Sequence, residues 1–518
     1  MNRRRPPRIG DPVTTPDNDA ATIGQPATPG KDRSLDNQRR IEAAALALFT
    51  TQGFHGTNNR EIADRAGLST AAIYTYYSSK EAIFDDLAQK YRARMTAWFE
   101  ETVAGLTDPF SKRDLRAFAS AILAKLGEDR DGLLLVLIDV TEFKNRHFAD
   151  FFHEMPERLR RLLRPALSEV VQRPTWRGHD PAFVLAAVYN YFFHCALIEN
   201  HMQGERHLGV SSELAIRRFV DLLAGGLLSQ PTKPKTRYRP TPRSLARKRA
   251  LDQAARDRIE FIRLLCGRLW NPPPEILTRL SGKQAEPAAR VPILFLPETA
   301  RDRPDENQLH IETAALELFT TQGFHGTHIR DIAEKAELSQ GTIYTYYAKK
   351  ETIFEELARS YQICMVRFTR RIIMALDDPL SNDNLRLLAW TVRSMVYDDA
   401  QYVLLMFVDV LEFKNQHFAD LFRDVPSQFR HLLGPELDRV KTRPGWCGLD
   451  PAFVLATIYL FFFNYFVIER HMRGNQHLGA PEEEAIERLI DMFSAGLWTQ
   501  APNAAERPQR LAAGDVAD

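Results

Sequence analysis

Cysteine is scarce: the chain has four in 518 residues, Cys195, Cys266, Cys364 and Cys447. They lie far apart, with no paired spacing of a zinc or redox motif, so they read as reduced thiols. After the N-terminal arginines no apolar core follows, since Pro, Gly, Asp and Thr stand there instead, and no export is expected. Long hydrophobic runs are missing too. The longest, 182–198 and 452–468, contain Asn190 or Asn464 and fall short of the roughly 20 residues that span a bilayer. They are expected to be buried core helices of a cytoplasmic protein. Charge of one sign is also absent, because 68 basic residues meet 67 acidic ones, so any DNA-binding surface must be local. No nucleophile, acid–base pair or phosphate loop stands in a recognised motif, so neither an enzyme nor a cofactor is implied. His201, Met202 and His207, repeated as His471, Met472 and His477, have no Cys or carboxylate set at ligand spacing, and no metal is assigned.

What the chain does contain, it contains twice. Ile41 to Thr57 and Ile311 to Thr327 differ only at Ala43 against Thr313 and Ala47 against Glu317. The same offset of 270 relates the two copies across nearly two hundred residues without insertion or deletion, so both are expected to share one fold. After Gly53-Phe54-His55-Gly56-Thr57, the residues Ile62, Ala63, Ala66, Leu68 and Ile73 give the inner face of two short helices with a tight turn between them. Thr57 is read as the N-cap of the first and Ser69 as that of the second. Gly67 can take the left-handed conformation that ends the first helix. The pattern is a helix-turn-helix.

At these residues the chain resembles the TetR family of bacterial transcription regulators. The resemblance rests on Ala44 to Phe49, Gly53-Phe54, Thr57, Ile62-Ala63, Gly67-Leu68-Ser69, Ile73 to Tyr77 and Lys80-Glu81. It recurs in Ala314 to Phe319, Gly323-Phe324, Thr327, Ile332-Ala333, Leu338-Ser339, Ile343 to Tyr347 and Lys350-Glu351. Each copy departs once, with Ala71 where the family usually has Gly, and with Glu337 where the turn Gly is expected. A Cβ at that turn is expected to cost roughly 1 kcal/mol.

The resemblance implies an all-α chain of two tandem TetR-like units, each an N-terminal helix-turn-helix three-helix domain followed by a helical effector and dimerisation domain. Residues 1–33 read as a disordered basic arm, with Arg3, Arg4, Arg5 and Arg8 offered to DNA or simply solvated. Residues 34–91 form the first helix-turn-helix domain and 92–230 its effector domain, and 305–361 and 362–500 repeat them. Residues 501–518 read as a disordered tail. Between the units, 231–304 is a basic, partly helical linker whose first forty residues hold twelve basic side chains against three acidic, a net of +9. DNA or an acidic surface of a repeat would partner it.

By the same resemblance, Ser69, Thr70, Ala71, Tyr74, Thr75 and Tyr76 face double-stranded operator DNA, with Thr57, Asn58 and Lys80 on its backbone. In the second copy Ser339, Gln340, Gly341, Thr342, Tyr344, Thr345 and Tyr346 do so, with Thr327, His328 and Lys350. Tyr77 and Tyr347 are assigned to the core. Gln340 can pair with adenine where Thr70 cannot, so the operator is expected to be imperfectly palindromic and read by a single-chain pseudo-dimer, with further dimerisation open. Phe143, His147, Tyr189 and Phe192, with Phe413, His417, Tyr459 and Phe462, suggest a cavity for an apolar or aromatic effector, and at helical spacing they also suit plain core. The expected function is a ligand-responsive repressor. The alternative is a helical ligand-binding or interaction scaffold in which one or both helix-turn-helix units no longer bind DNA.

Overall fold

The computed structural model describes residues 29–202, 204, 206–227, 306–373, 378–474 and 476–497. The basic linker, the C-terminal tail and nearly all of the N-terminal arm lie outside them. Within them the chain is helical, with no strand.

The first repeat comprises α1 (Pro29–Gln52), α2 (Asn59–Ala66), α3 (Thr70–Tyr76), α4 (Lys80–Ala104), α5 (Lys112–Glu128), α6 (Arg130–Glu142), α7 (Ala149–His153), α8 (Met155–Leu162), α9 (Arg164–Gln172), α10 (Pro181–His201) and α11 (Ser212–Leu227). The second comprises α12 (Glu306–Gln322), α13 (Ile329–Lys335), α14 (Gln340–Tyr346), α15 (Lys350–Ile373), α16 (Asn382–Asp398), α17 (Ala400–Phe413), a 3₁₀ turn (Ala419–Phe422), α18 (Val425–Lys441), α19 (Pro451–His471) and α20 (Glu482–Leu497). The boundaries match at the offset of 270 to within a residue or two for most elements. The exceptions are the start of α1, seven residues further upstream than that of α12, the 3₁₀ turn in place of α7, and α18, which runs through the break between α8 and α9 with a kink at Leu433.

One boundary moves. Helix α1 starts at Pro29, inside the stretch expected to be a disordered arm. Proline suits a first helical position, where its missing N–H has no partner to lose, so the helix can extend upstream of Ser34.

Helix α10 begins as Asp180-Pro181 predicts, the Asp180 carboxylate accepting the Ala182 N–H at 3.0 Å. Pro181 to Ile198 are then all buried. Helix α19 repeats this from Pro451. Both are long and apolar enough to cross a membrane, but their apolar windows are 100% and 94% buried within the fold. A helix apolar on all sides needs cover on all sides. Part of that cover comes from the other repeat.

The repeats pack against each other along α10, α11, α19 and α20. Tyr191 stacks on Phe219 of its own repeat and on Phe461 of the other, with ring centroids 4.6 and 5.4 Å apart. The Asn464 side chain donates to the Asn190 carbonyl at 2.6 Å. Arg218 lies over the Phe453 ring at 5.2 Å, and reciprocally Arg488 lies over Phe183 at 5.5 Å. Helices α11 and α20 cross backbone to backbone: a Cβ at Gly226 would stand 2.0 Å from the Met492 carbonyl oxygen, and one at Gly496 2.1 Å from that of Leu222. Only glycine allows this approach.

Gly226→Ala and Gly496→Ala are therefore each expected to force the two helices apart and to lower unfolding stability by about 1–3 kcal/mol, as overpacking does. Urea denaturation of the full chain checks this. Unchanged midpoints would show that the crossing is looser.

Candidate nucleic-acid interface

Each helix-turn-helix unit is built on aromatic and small apolar contacts. Phe49, Phe54 and Phe84 meet with ring centroids 5.4 to 5.8 Å apart, and Ile62, Ala63 and Ile73 have no exposed surface. Gly67 ends α2 with φ of 65°, and Ser69 caps α3 by accepting the Ala72 N–H at 3.2 Å. Ser339 does the same for the Thr342 N–H at 3.0 Å. Glu337 is held at φ of 58°, the left-handed region that a side chain disfavours.

The reading helices α3 and α14 present the expected side chains outward. Ser69, Ala71, Tyr74 and Thr75 are exposed, as are Ser339, Gln340, Gly341, Tyr344 and Thr345. Tyr74 and Tyr344 are 56% and 54% exposed, among the most exposed large apolar side chains described. Thr70, Tyr76, Thr342 and Tyr346 are half-buried. The Tyr74 hydroxyl accepts from Asn59 at 3.1 Å and that of Tyr76 from Asn37 at 3.2 Å, which holds both rings on the outer rim. Tyr77 is core, its hydroxyl 2.8 Å from Glu42 and 2.7 Å from Asp86, and Tyr347 donates to Glu312 at 2.6 Å.

Four residues expected on the DNA backbone are placed otherwise. Thr57 and Thr327 are 2% and 0% exposed, and their hydroxyls donate inward to the Gly53 and Gly323 carbonyls at 2.8 and 2.7 Å. Nor does Thr57 cap α2. Asn58 is the cap, accepting the Arg60 and Glu61 N–H groups at 3.1 and 3.0 Å, because its side chain stands one residue nearer the free donors. His328 takes that position in α13. Both are exposed. Lys80 bonds the Phe54 and Thr57 carbonyls at 2.7 and 2.6 Å and lies 4.2 Å from the Phe54 ring centre. Lys350 repeats this on Phe324 and Thr327 at 2.6 and 2.7 Å. Burial lowers the pKa of both lysines, against nearby glutamates. Each lysine fastens the turn ahead of its own unit.

The sequence matches "Bacterial regulatory proteins, tetR family" at residues 41–87 and again at 311–357, the spans that build the two units. It is 34% identical over 104 residues to YdgC of Bacillus subtilis, an uncharacterized HTH-type transcriptional regulator, which is 20% of this chain and 53% of that one. To YvkB of the same organism, also an uncharacterized HTH-type regulator, it is 22% identical over 194 residues, 36% of this chain and 96% of that one. To the HTH-type transcriptional repressor KstR2 of Rhodococcus jostii it is 24% identical over 152 residues, 29% and 74% respectively. The chain carries the tetR-family domain twice, in tandem. Its match to the first of these relatives spans about half of that protein's length.

The side chains expected to line an effector cavity do not gather around one cavity, although Phe143 meets His147 and Phe413 meets His417 with ring centroids 5.4 and 5.1 Å apart. Phe143 stacks on Phe84 at 4.4 Å and packs on Phe54 at 4.6 Å, which ties the end of α6 to the helix-turn-helix unit. Phe413 does the same with Phe354 and Phe324. His147 is clamped between Asp139 at 2.6 Å and Asp85 at 2.7 Å, and His417 meets Asp409 at 2.6 Å. Burial alone would lower the His147 pKa, but these two carboxylates raise it. Phe192 turns to Phe219 on the seam between repeats. Tyr459 packs on Phe429, and Phe462 is fully buried beside Phe466. Of the eight, Tyr189 alone lines the small cavity described below. Helical spacing marks such positions as apolar without saying which side of a many-sided core each one meets.

Two residues went unnoticed in the sequence. Glu142 accepts the Phe54 and His55 N–H groups at 2.9 and 2.7 Å, and Glu412 those of Phe324 and His325 at 2.8 and 2.7 Å. Their recurrence at the offset of 270 was the available signal. The His207 and His477 rings are buried beside Glu199 at 3.7 Å and Glu469 at 2.5 Å.

Because Glu337 stands in a left-handed turn, Glu337→Gly is expected to stabilise the chain by about 1 kcal/mol, and Gly67→Ala to destabilise it by a similar amount. Chemical denaturation compares them. A loss of stability in Glu337→Gly would mean that the side chain contributes more than its backbone costs.

Proposed function

We propose that the protein is a ligand-responsive transcription regulator whose two reading helices address one operator as a single-chain pair. The observation that carries this is that the two units of one chain are packed together along α11 and α20, with the exposed tyrosines of both reading helices left free of that seam. Pairing inside a chain replaces the encounter of two chains by an effective concentration on the order of mM. The DNA-facing residues are Ser69, Thr70, Ala71, Tyr74, Thr75 and Tyr76 in one copy. In the other they are Ser339, Gln340, Gly341, Thr342, Tyr344, Thr345 and Tyr346. Asn58 and His328 stand exposed at the starts of α2 and α13. The name of KstR2 as a repressor supports repression here.

Site selection from random duplex DNA by the purified chain is expected to enrich two dissimilar half-sites at one fixed spacing. A perfect palindrome would mean that like units of two chains pair instead. No enrichment would favour the scaffold reading.

For the effector, the supporting feature is a cavity of about 10 Å³, room for about one water, bounded by Tyr91, Met95, Phe148, Phe151, Tyr189 and Phe193 among others. The hydroxyls of Tyr91 and Tyr189 are buried with no hydrogen-bond partner among the described residues, and burial pushes both phenol pKa values up. An unmet buried hydroxyl is costly, and a ligand that supplies a hydrogen bond relieves it. The cavity lies between α4, which leads from the reading unit, and α10, which lines the seam. A ligand larger than the cavity must displace one from the other, which favours a different spacing of the reading helices. Small phenols and aromatic alcohols are expected to raise the melting temperature of the protein, and Tyr189→Phe to reduce that rise. No shift across the panel would count against an aromatic effector at this site.

A further inference from the structure

The two DNA-binding units meet at a junction that the function above leaves unexplained. The turns 53–57 and 323–327 face each other: a Cβ at Gly56 would come within 2.7 Å of the His325 Cβ, and one at Gly326 within 2.7 Å of the His55 Cβ. Behind the turns stand Glu142 and Glu412, whose side chains are each 1% exposed. Both reach the same glycine. A Cβ at Gly53 would lie 2.8 Å from Glu142 Oε1 and 3.4 Å from Glu412 Oε1, which bounds the two oxygens to about 6 Å of each other, the sum of those distances. Seen from Gly323, the same two oxygens lie at 3.9 and 2.6 Å. The helices that carry them, α6 and α17, touch each other and also touch α1 and α12 of both units.

Two buried carboxylates this close repel when both are charged. Burial, and then the Glu412 charge, push the Glu142 pKa up to about 7, against the Phe54 and His55 N–H groups and the Lys80 charge. The other charged or titratable groups here are His55, with Nε2 4.0 Å from Glu142, and His325, whose Nδ1 bonds Glu412. Lys80 and Lys350 stand on the turn carbonyls, and Arg130, Asp131, Glu199, His201, Arg206 and Lys414 line the open groove beside Glu412.

We propose that Glu142 and Glu412 are positioning residues that hold the two reading units at one separation, and that the junction stays closed while Glu142 carries a proton. The folded pKa of Glu142 stands above its ordinary 4.5, so closure is favoured at low pH and weakens as pH rises toward about 7 and beyond. Separation of the units sets which half-site spacing fits, and this consequence alone rests on the DNA-reading function proposed above.

The test places spin labels at Asp64→Cys and Glu334→Cys, exposed equivalent positions outside the reading surface, in the full chain with Cys266, Cys364 and Cys447 changed to Ser. Pulsed EPR distances are taken at pH 6 and pH 8.5. A narrow distance at pH 6 that lengthens and broadens at pH 8.5 is expected, and Glu142→Gln should keep the narrow distance at both. Glu412→Gln, which removes the opposing charge, should do the same and serves if the first variant fails to fold. Equal distances at both pH values in the parent chain, or a shift that persists in both variants, would overturn the proposal. Operator affinity measured in parallel is expected to fall about tenfold across the same range. A distance that switches while affinity does not would leave the junction standing and overturn its link to DNA reading.

Discussion

Helices α10 and α19 have no polar side to give to solvent, and the architecture follows from covering them. From Pro181 to Ile198 every residue is buried, and α19 is nearly the same. Within one repeat, α5, α8 and α9 cover part of α10. What remains is closed by the other repeat, through Tyr191 on Phe461 and through the glycine crossing of α11 and α20. Burial of apolar surface stabilises by roughly 25 cal/mol per Å², so separating the repeats would expose two of the most apolar helices in the chain. Each repeat thus supplies part of the other's cover.

That constraint fixes the rest in sequence. The seam sets where α6 and α17 stand, and their last turns carry Glu142, Phe143, Glu412 and Phe413 against the turns ahead of the reading units. Lys80 and Lys350 close those turns from the other side. The helix-turn-helix units are thus tied through short, mostly buried contacts to the helical domains that follow them.

Much of this was legible in the sequence, and the reason is periodicity. Spacing marks which residues of a short amphipathic helix point inward, so Ile62, Ala63 and Ile73 were placed in the core, as the structure has them; Tyr74 and Thr75 come from the family resemblance, and the structure leaves both exposed. The caps were read with one error. Threonine and asparagine both suit an N-cap, and only the direction of the Thr57 hydroxyl toward Gly53 decides between Thr57 and Asn58. The effector residues were read least well, since on a helix buried all round spacing no longer distinguishes a cavity wall from a seam. Tyr189 and Phe192 stand three residues apart and meet different neighbours.

By itself the sequence determined the helical class, the doubling of one unit at a constant offset and the helix-turn-helix with its outward side chains, because these depend on contacts between residues near one another in the chain. Tertiary structure alone decided that Lys80 and Lys350 turn inward to carbonyls, that Gly226 and Gly496 let two backbones touch, and that Glu142 and Glu412 meet behind facing turns. The lysines meet carbonyls of their own unit, 26 and 23 residues before them, while the other two outcomes depend on groups brought together from the two repeats, where burial changes the charge a carboxylate can keep and a missing side chain sets how closely two helices can approach.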